Sequence, residues 1–205
     1  AHLMALWCED YHECPLTGED MAKLPFALVH DRCKAIFSER KFSREDAYFR
    51  LLHQGPPSVI NIPSGYDFLK VDPQEEMQSV AEFINACYLN INVNKEIVRS
   101  WLSHPVYDPD LWLWVIDLET GQKAGLGIAE YDPQVPEASL EWIQVHPHYQ
   151  RRGLGKAIVM QLMQNASSKV LFTTVSGKVD RAVQSEKLYR SCGFSGSDVW
   201  WLLRA

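Results

Sequence analysis

Gln150-Arg151-Arg152-Gly153-Leu154-Gly155-Lys156-Ala157 stands between a β-rich run ending at Val145 and a stretch of helical character. Two glycines let the backbone approach an anion closely, and the helix that follows turns its first N–H groups and the positive end of its dipole toward that anion. Arg151, Arg152 and Lys156 put three cations at the same end. This is pyrophosphate-binding chemistry, although helix entry and close packing use the same residue types, so the spacing alone leaves both readings open. Two better-known phosphate motifs are excluded. A P-loop needs Ser or Thr after Gly155-Lys156, where Ala157 stands, and a dinucleotide fingerprint needs a third glycine at the position of Ile158.

Working outward, residues 66–71 read as a strand, and a helix opens at Asp72-Pro73, a fit N-cap followed by a fit first residue. Met77, Val80, Ala81, Ile84 and Tyr88 mark its apolar stripe. A second helix over 94–103 stops before His104-Pro105. Strands are then expected over 111–117, 123–131 and 138–145, joined as antiparallel hairpins by Glu119-Thr120-Gly121 and Asp132-Pro133. A helix over 153–165, a strand over 170–175, a helix over 180–192 and a strand over 199–203 complete the chain. The first 65 residues read as mostly helical, weakly at first, then over 24–37 and 43–53. In the last of these, Ser43 and Asp46 resemble a capping box and Ala47, Phe49, Leu51 and Leu52 supply apolar positions. Turn residues Gly55-Pro56-Pro57 and Pro63-Ser64-Gly65 bracket Val59 to Ile62, so the division falls near Gly65: a helical amino-terminal extension over 1–65 and a larger domain over 66–205.

The chain has 205 residues, 46% hydrophobic and 22% charged, enough for a core that needs neither metal nor disulfide. No apolar run is long enough to span a membrane, and the amino end lacks the features of a secretory signal. Ala1, His2 and Leu3 precede the first methionine, Met4, and read as a remnant foreign to the chain. Five scattered cysteines, Cys8, Cys14, Cys33, Cys87 and Cys192, fit free thiols in a reducing, cytoplasmic setting. Cys8, His12 and Cys14 lie close together but lack the second half of a metal motif, so no metal is expected. A net charge of −6 argues against nucleic acid as a partner. Its distribution is uneven: residues 66–146 hold 14 acids and 4 bases, residues 147–205 hold 3 acids and 9 bases. That asymmetry suits a cationic substrate beside an anionic cofactor, and solvated faces alone produce it equally well.

The glycine-rich stretch resembles the acetyl-CoA motif of the GCN5-related N-acetyltransferases (GNAT), with Gln150, Gly153 and Gly155 in the matching places. Val145-His146-Pro147-His148-Tyr149 precedes it suitably, and Leu188-Tyr189-Arg190-Ser191-Cys192-Gly193-Phe194 is similar to that family's later Leu-Tyr-x-x-x-Gly-Phe motif. The resemblance covers residues 66–205; the first 65 match nothing. It implies an α/β (α+β) fold with a mixed, splayed central sheet flanked by helices. Acetyl-CoA, as cosubstrate, would lie where two neighbouring strands part. Its pyrophosphate would sit on Gln150, Arg151, Arg152, Gly153, Leu154, Gly155 and Lys156, and its pantetheine would run along the strand that carries Ile143 and Val145. The strand N–H near Val145 would polarise the thioester carbonyl.

Direct transfer to an amine needs a base for its proton and an acid for the leaving thiolate. Simple alternation puts Ser139, Glu141, Ile143 and Val145 on one face of their strand and Leu140, Trp142 and Gln144 on the other. Glu141 is then the odd member: base, directly or through water, or else a salt-bridge or rim residue. The resemblance makes Tyr189 the acid toward the CoA sulfur. One departure stands nearby, because Ala182 occupies the place of a cofactor-contacting Asn, leaving that contact to Asp180 or Gln184. Cys192 reads as a small buried side chain rather than an acetyl carrier, and His146 with His148 as loop residues. Trp112, Trp114, Trp142, Trp200 and Trp201 read first as packing; in a second reading some of them line an acceptor pocket and hold an ammonium, with Asp108, Asp110, Glu130, Asp132 and Glu137 as its acidic side. The expected activity is acetyl transfer from acetyl-CoA to a primary amine, small and cationic by preference, in a ternary complex. A non-catalytic acyl-CoA sensor or partner-docking module is the alternative, and a homodimer stays open.

Overall fold

The computed structural model describes residues 5–6, 26–37, 41–59, 61–88, 91–179 and 185–204. In chain order the main elements are β1 (Ala5–Leu6), β2 (Phe26–His30), α1 (Asp31–Lys34), β3 (Arg44–Gln54), β4 (Tyr66–Lys70), α2 (Pro73–Cys87), α3 (Lys95–Leu102) and β5 (Trp112–Asp117). There follow β6 (Lys123–Asp132), β7 (Glu137–Val145), α4 (Leu154–Ala166), β8 (Phe172–Lys178), α5 (Ser185–Ser191) and β9 (Ser195–Arg204). The described residues fall into two compact units, one drawn from 1–51, 176–186 and 195–205, the other from 52–175 and 187–194.

In the first unit β2 lies between β1, parallel to it, and β9, antiparallel to it, and β3 follows β9 in the order. Ala27, Val29, Cys33, Phe37 and Leu203 form its core. Two expectations are corrected here. In the stretch read as a helix over 24–37, Phe26–His30 are strand β2, and the helical part is confined to Asp31–Lys34 with a 3₁₀ turn at Ala35–Phe37; residues 24 and 25 lie outside the described residues. The stretch read as a helix over 43–53 is strand β3. Its apolar residues Ala47, Phe49 and Leu51 recur at every second position, which is strand periodicity. Asp46, which carries capping chemistry in the sequence, is buried and instead forms ion pairs with Lys178 at 2.7 Å and Arg44 at 2.6 Å.

The second unit holds the order β8-β7-β6-β5-β4, antiparallel except for β7 with β8, where residues 172–175 pair in parallel. The expected mixed sheet is therefore present. Helices α2 and α3 cover one face: Met77, Val80, Ala81, Phe83, Ile84 and Val98 pack with Trp112, Trp114, Leu126 and Ile128. Helix α4 covers the other, close enough that a Cβ on Gly127 would stand 2.5 Å from Ile158 Cγ2 and one on Gly125 2.9 Å from Ile158 Cδ1. The helix starts agree with their caps. Asp72 accepts from Gln74 N–H at 3.1 Å ahead of Pro73, and Asn94 accepts from Ile97 N–H at 2.9 Å. Glu76 ties α2 to the sheet, accepting from the Asp72 N–H, from Trp114 Nε1 at 3.1 Å and from Lys123 Nζ at 2.7 Å. Burial works to raise the Glu76 pKa, and these donors outweigh it, so the carboxylate stays ionised below its ordinary range. Among the described residues no helix is long and apolar enough to cross a membrane.

Candidate active site

The site is organised by an irregularity in β7. Ile128 of β6 pairs with Trp142, but the next residue, Ala129, pairs with Leu140. Glu141 is thus the extra residue of a β-bulge, a device that re-aims side chains. It overturns the expected alternation. Past the bulge Trp142 and Gln144 pair with Ile128 and Leu126, which belong to the α2/α3 face, while Ser139 pairs with Glu130. Ile143 and Val145 pair with Gly127 and Gly125, the glycines under α4. Ser139, Trp142 and Gln144 therefore share the α2/α3 face, and Leu140, Ile143 and Val145 the α4 face. Glu141 is exposed and accepts a 2.6 Å hydrogen bond from Ser139 Oγ.

The pairing of β7 with β8 covers only residues 137–140, ending at Leu140 with Val175. From the bulge onward the β8 side of β7 is released from the ladder. Among the described residues the stretch of β7 from Glu141 to Val145 forms no pair with β8.

Beyond Val145 the chain turns through Pro147–Tyr149 into α4. Arg151 has φ +64° and Gly153 φ +84°, so the backbone passes twice through the left-handed region before the helix begins. Gly153 is the N-cap and supplies no side-chain hydrogen bond, which leaves the first-turn N–H groups to another acceptor. A Cβ on Gly155 would lie 3.3 Å from Leu188 Cδ2 and 3.9 Å from Val145 Cγ2, so the helix start sits against the end of β7 and against α5. Gln150 donates to the Val145 carbonyl at 3.3 Å. Arg152 is engaged within the protein, donating to Tyr66 Oη at 2.8 Å and to the His148 carbonyl at 3.1 Å, with its guanidinium 5.2 Å from the Tyr149 ring. It braces the loop. Arg151 and Lys156 are the cations at the helix end outside that brace. An uncapped helix start behind left-handed backbone fits a pyrophosphate.

Tyr189 on α5 is buried, and that burial, followed by the neighbouring Tyr88, Cys192 and Glu141, pushes its pKa well above the ordinary phenol value. The hydroxyl therefore keeps its proton at neutral pH. Cys192 is buried as expected, and burial raises its thiol pKa, the opposite of what a nucleophilic thiolate needs. His146 and His148 face each other at 5.0 Å between ring centroids, and among the described residues no three His, Cys, Asp or Glu side chains cluster as metal ligands. Cys8, His12, Cys14, Asp180, Ala182 and Gln184 lie outside the described residues.

On the α2/α3 face Trp101, His104, Trp112, Ile128, Glu130, Glu141 and Trp142 line a cavity of about 230 Å³. Trp101 stacks on Trp142 with centroids 5.5 Å apart and planes at 26°, and Trp112 stands edge-on to Trp101 at 6.3 Å. Burial and then the charge of Glu141 push the Glu130 carboxyl up, with His104 opposing. Tyr88 stands edge-on to Trp142 at 6.3 Å. Gln144, 4% exposed, faces the Tyr88 hydroxyl, yet neither of its amide atoms has a hydrogen bond of ordinary geometry among the described residues.

Several sequence candidates lie outside the cavity lining. Trp114 is fully buried with Lys123 Nζ 4.2 Å from its ring centroid. Asp108 and Asp110 both pair with Lys169, and Asp110 also with Lys70. Asp132 accepts from the Gln134 N–H in a turn, and Glu137 accepts from Thr174. Trp200 and Trp201 are in the first unit. Conversely, Trp101, His104, Tyr88 and Gln144 carried no functional signal in the sequence, because what they share with the site arises only through packing.

Residues 109–196 match the family model described as acetyltransferase (GNAT) domain. No curated protein matches the chain. Among solved structures, a GCN5-related N-acetyltransferase from Sphaerobacter thermophilus superposes with a TM-score of 0.74 at 14% identity, covering 88% of this chain and 59% of that one. A GNAT-family acetyltransferase from Colwellia psychrerythraea gives 0.65 at 12%, covering 87% and 64%. A tandem GNAT protein from the clavulanic acid biosynthesis pathway gives 0.62 at 15%, covering 88% and 63%. The chain thus spans less than two thirds of the length of each of these three structures, and what it shares with them is the fold.

Proposed function

With a GNAT acetyltransferase domain matched over residues 109–196 and the fold of that family around it, we propose that this protein transfers the acetyl group of acetyl-CoA to a primary amine in a ternary complex. The observation that carries this reading is the uncapped start of α4 against Val145, at the end of the same strand whose bulge presents Glu141. An anionic cofactor arm and a base are thereby offered along one freed strand edge.

In this reading the N–H groups at the start of α4, with Arg151 and Lys156, hold the pyrophosphate, and the pantetheine follows Ile143 and Val145. Gln150 and Arg152 hold the loop that shapes this cradle. The amine nitrogen attacks the thioester carbonyl carbon, the carbon–sulfur bond breaks, and the acetyl group becomes an amide. Glu141 takes the amine's proton, directly or through water, and Tyr189 donates its own to the departing sulfur. Burial of Tyr189 supports the second role, since a protonated phenol is the form that can donate.

The test is release of free CoA, followed with a thiol reagent against a protein-thiol blank, over diamines, aminoglycosides, amino acids and short peptides. Amine-dependent release that collapses in Tyr189→Phe is the expected result. Acetyl-CoA binding with no amine-dependent release would favour a sensor.

A further inference from the structure

Among the described residues that line it, the cavity beside Glu141 holds two carboxylates and no lysine or arginine, and its walls are three indoles, Ile128 and the imidazole of His104. We infer that it takes an acceptor with two positive charges on a short aliphatic chain, a diamine, whose reacting amine lies at Glu141 and whose second ammonium lies at Glu130. This rests on the acetyl-transfer reading and specifies its acceptor.

The two carboxylates come from neighbouring strands. Glu130 lies opposite Ser139, and Ser139 Oγ donates to Glu141, so the acids flank one hydroxyl. A monoamine neutralises one of them and leaves the other with the indole rings and His104, whose opposition does not cancel the upward push on Glu130. Two ammonium groups satisfy both, each through charge-assisted hydrogen bonds. Meanwhile the indoles that line the cavity cover the methylene chain and attract its cationic ends. Glu130 stands out of its ordinary range through burial and the charge of Glu141, which a second cation would relieve. An aromatic monoamine would meet the indoles but bring nothing to Glu130.

Chemistry at the two ends then differs. The ammonium at Glu141 gives up two protons, one through Glu141 to solvent before it attacks and one as the uncharged amide forms, the latter matched by the proton that Tyr189 delivers to the CoA sulfur; the ammonium at Glu130 stays protonated. Acetylation is therefore expected once per molecule, and the product, with one charge fewer, fits the two-carboxylate cavity less well than the substrate.

The experiment measures binding without acetyl-CoA, by calorimetry and tryptophan fluorescence, for 1,4-diaminobutane, butylamine and tryptamine. One added charge-assisted contact predicts a diamine preference over butylamine of roughly tenfold or more. Glu130→Gln should bring the two ligands to parity without lowering the thermal midpoint or changing the acetyl-CoA affinity. Butylamine binding as tightly as the diamine, a preference that survives Glu130→Gln, or tryptamine binding more tightly than both would each overturn the inference. Failure of the underlying reading looks different. Diamine binding of the expected pattern with no CoA released would remove the transfer reaction and keep the site. CoA release driven by another amine class, with no diamine binding, would keep the reaction and remove the diamine.

Discussion

Leu140 and Trp142 are two residues apart on β7 yet pair with consecutive residues of β6, Ala129 and Ile128. The single residue between them, Glu141, is expelled from the ladder at the point where β8 also leaves β7. Base candidate, cavity wall and free strand edge all follow from that one insertion. Glu141→Gln keeps the shape and an acceptor for Ser139 but cannot take a proton. We expect CoA release to fall by roughly 10²- to 10⁴-fold, with acetyl-CoA affinity unchanged; steady-state rates beside equilibrium binding would check it.

Tyr189→Phe should lower the rate while acetyl-CoA affinity stays near its parent value. The pH dependence carries a sign. Burial raises the Tyr189 pKa above its ordinary 10.0, so the donating form persists to higher pH than an exposed tyrosine allows. A rate profile in the parent protein that falls with an apparent pKa below 10 and loses that limb in Tyr189→Phe would count against this assignment.

Gly153 has φ +84°, and a Cβ there would meet only Pro63 Cγ at 3.5 Å. The obstacle to Gly153→Ala is thus conformational, about 1–2 kcal/mol for a left-handed residue with a side chain. A lower urea midpoint is expected, together with weaker acetyl-CoA binding as the helix start is re-aimed, and a pyrophosphate competition assay would separate the two effects.

Gly127 offers the opposite case, an ordinary backbone with no space. Gly127→Val would drive methyl groups into Ile158 and Leu162, and such overpacking costs about 1–3 kcal/mol. Denaturant unfolding should register the loss.

Asp46 is held below the ordinary aspartate value of 3.8 by its bond to Lys178, against the pull of burial and with help from Arg44. A depressed carboxylate adds stability that is present above its unfolded pKa and lost as pH falls through its folded one. Urea midpoints should therefore drop for the parent below pH 3.8 by more than for Asp46→Asn, and the gap between the two should narrow toward acid.

The strands and helices from Tyr66 onward were legible because their periodicities and caps are local: Asp72-Pro73 and Asn94 start helices wherever the chain goes. The stretch 43–53 misread because Ser43 and Asp46 have capping chemistry, and nothing nearby in sequence announces that Lys178 will claim the carboxylate. Tertiary pairing overrode a local signal.

By itself the sequence determined the turn and helix start proposed as the anion cradle, since the two glycines and the helix behind them act through backbone conformation and dipole, which adjacent residues set. It also determined that Tyr189 follows in a matching motif. Only the tertiary structure decided which face each β7 side chain takes, because a bulge is a property of two strands in register and not of either alone. The same holds for the cavity: Trp101, Trp112, Glu130 and Trp142 come from one helix and three strands, and side chains so far apart in sequence share a wall only after the sheet and its covering helices have packed.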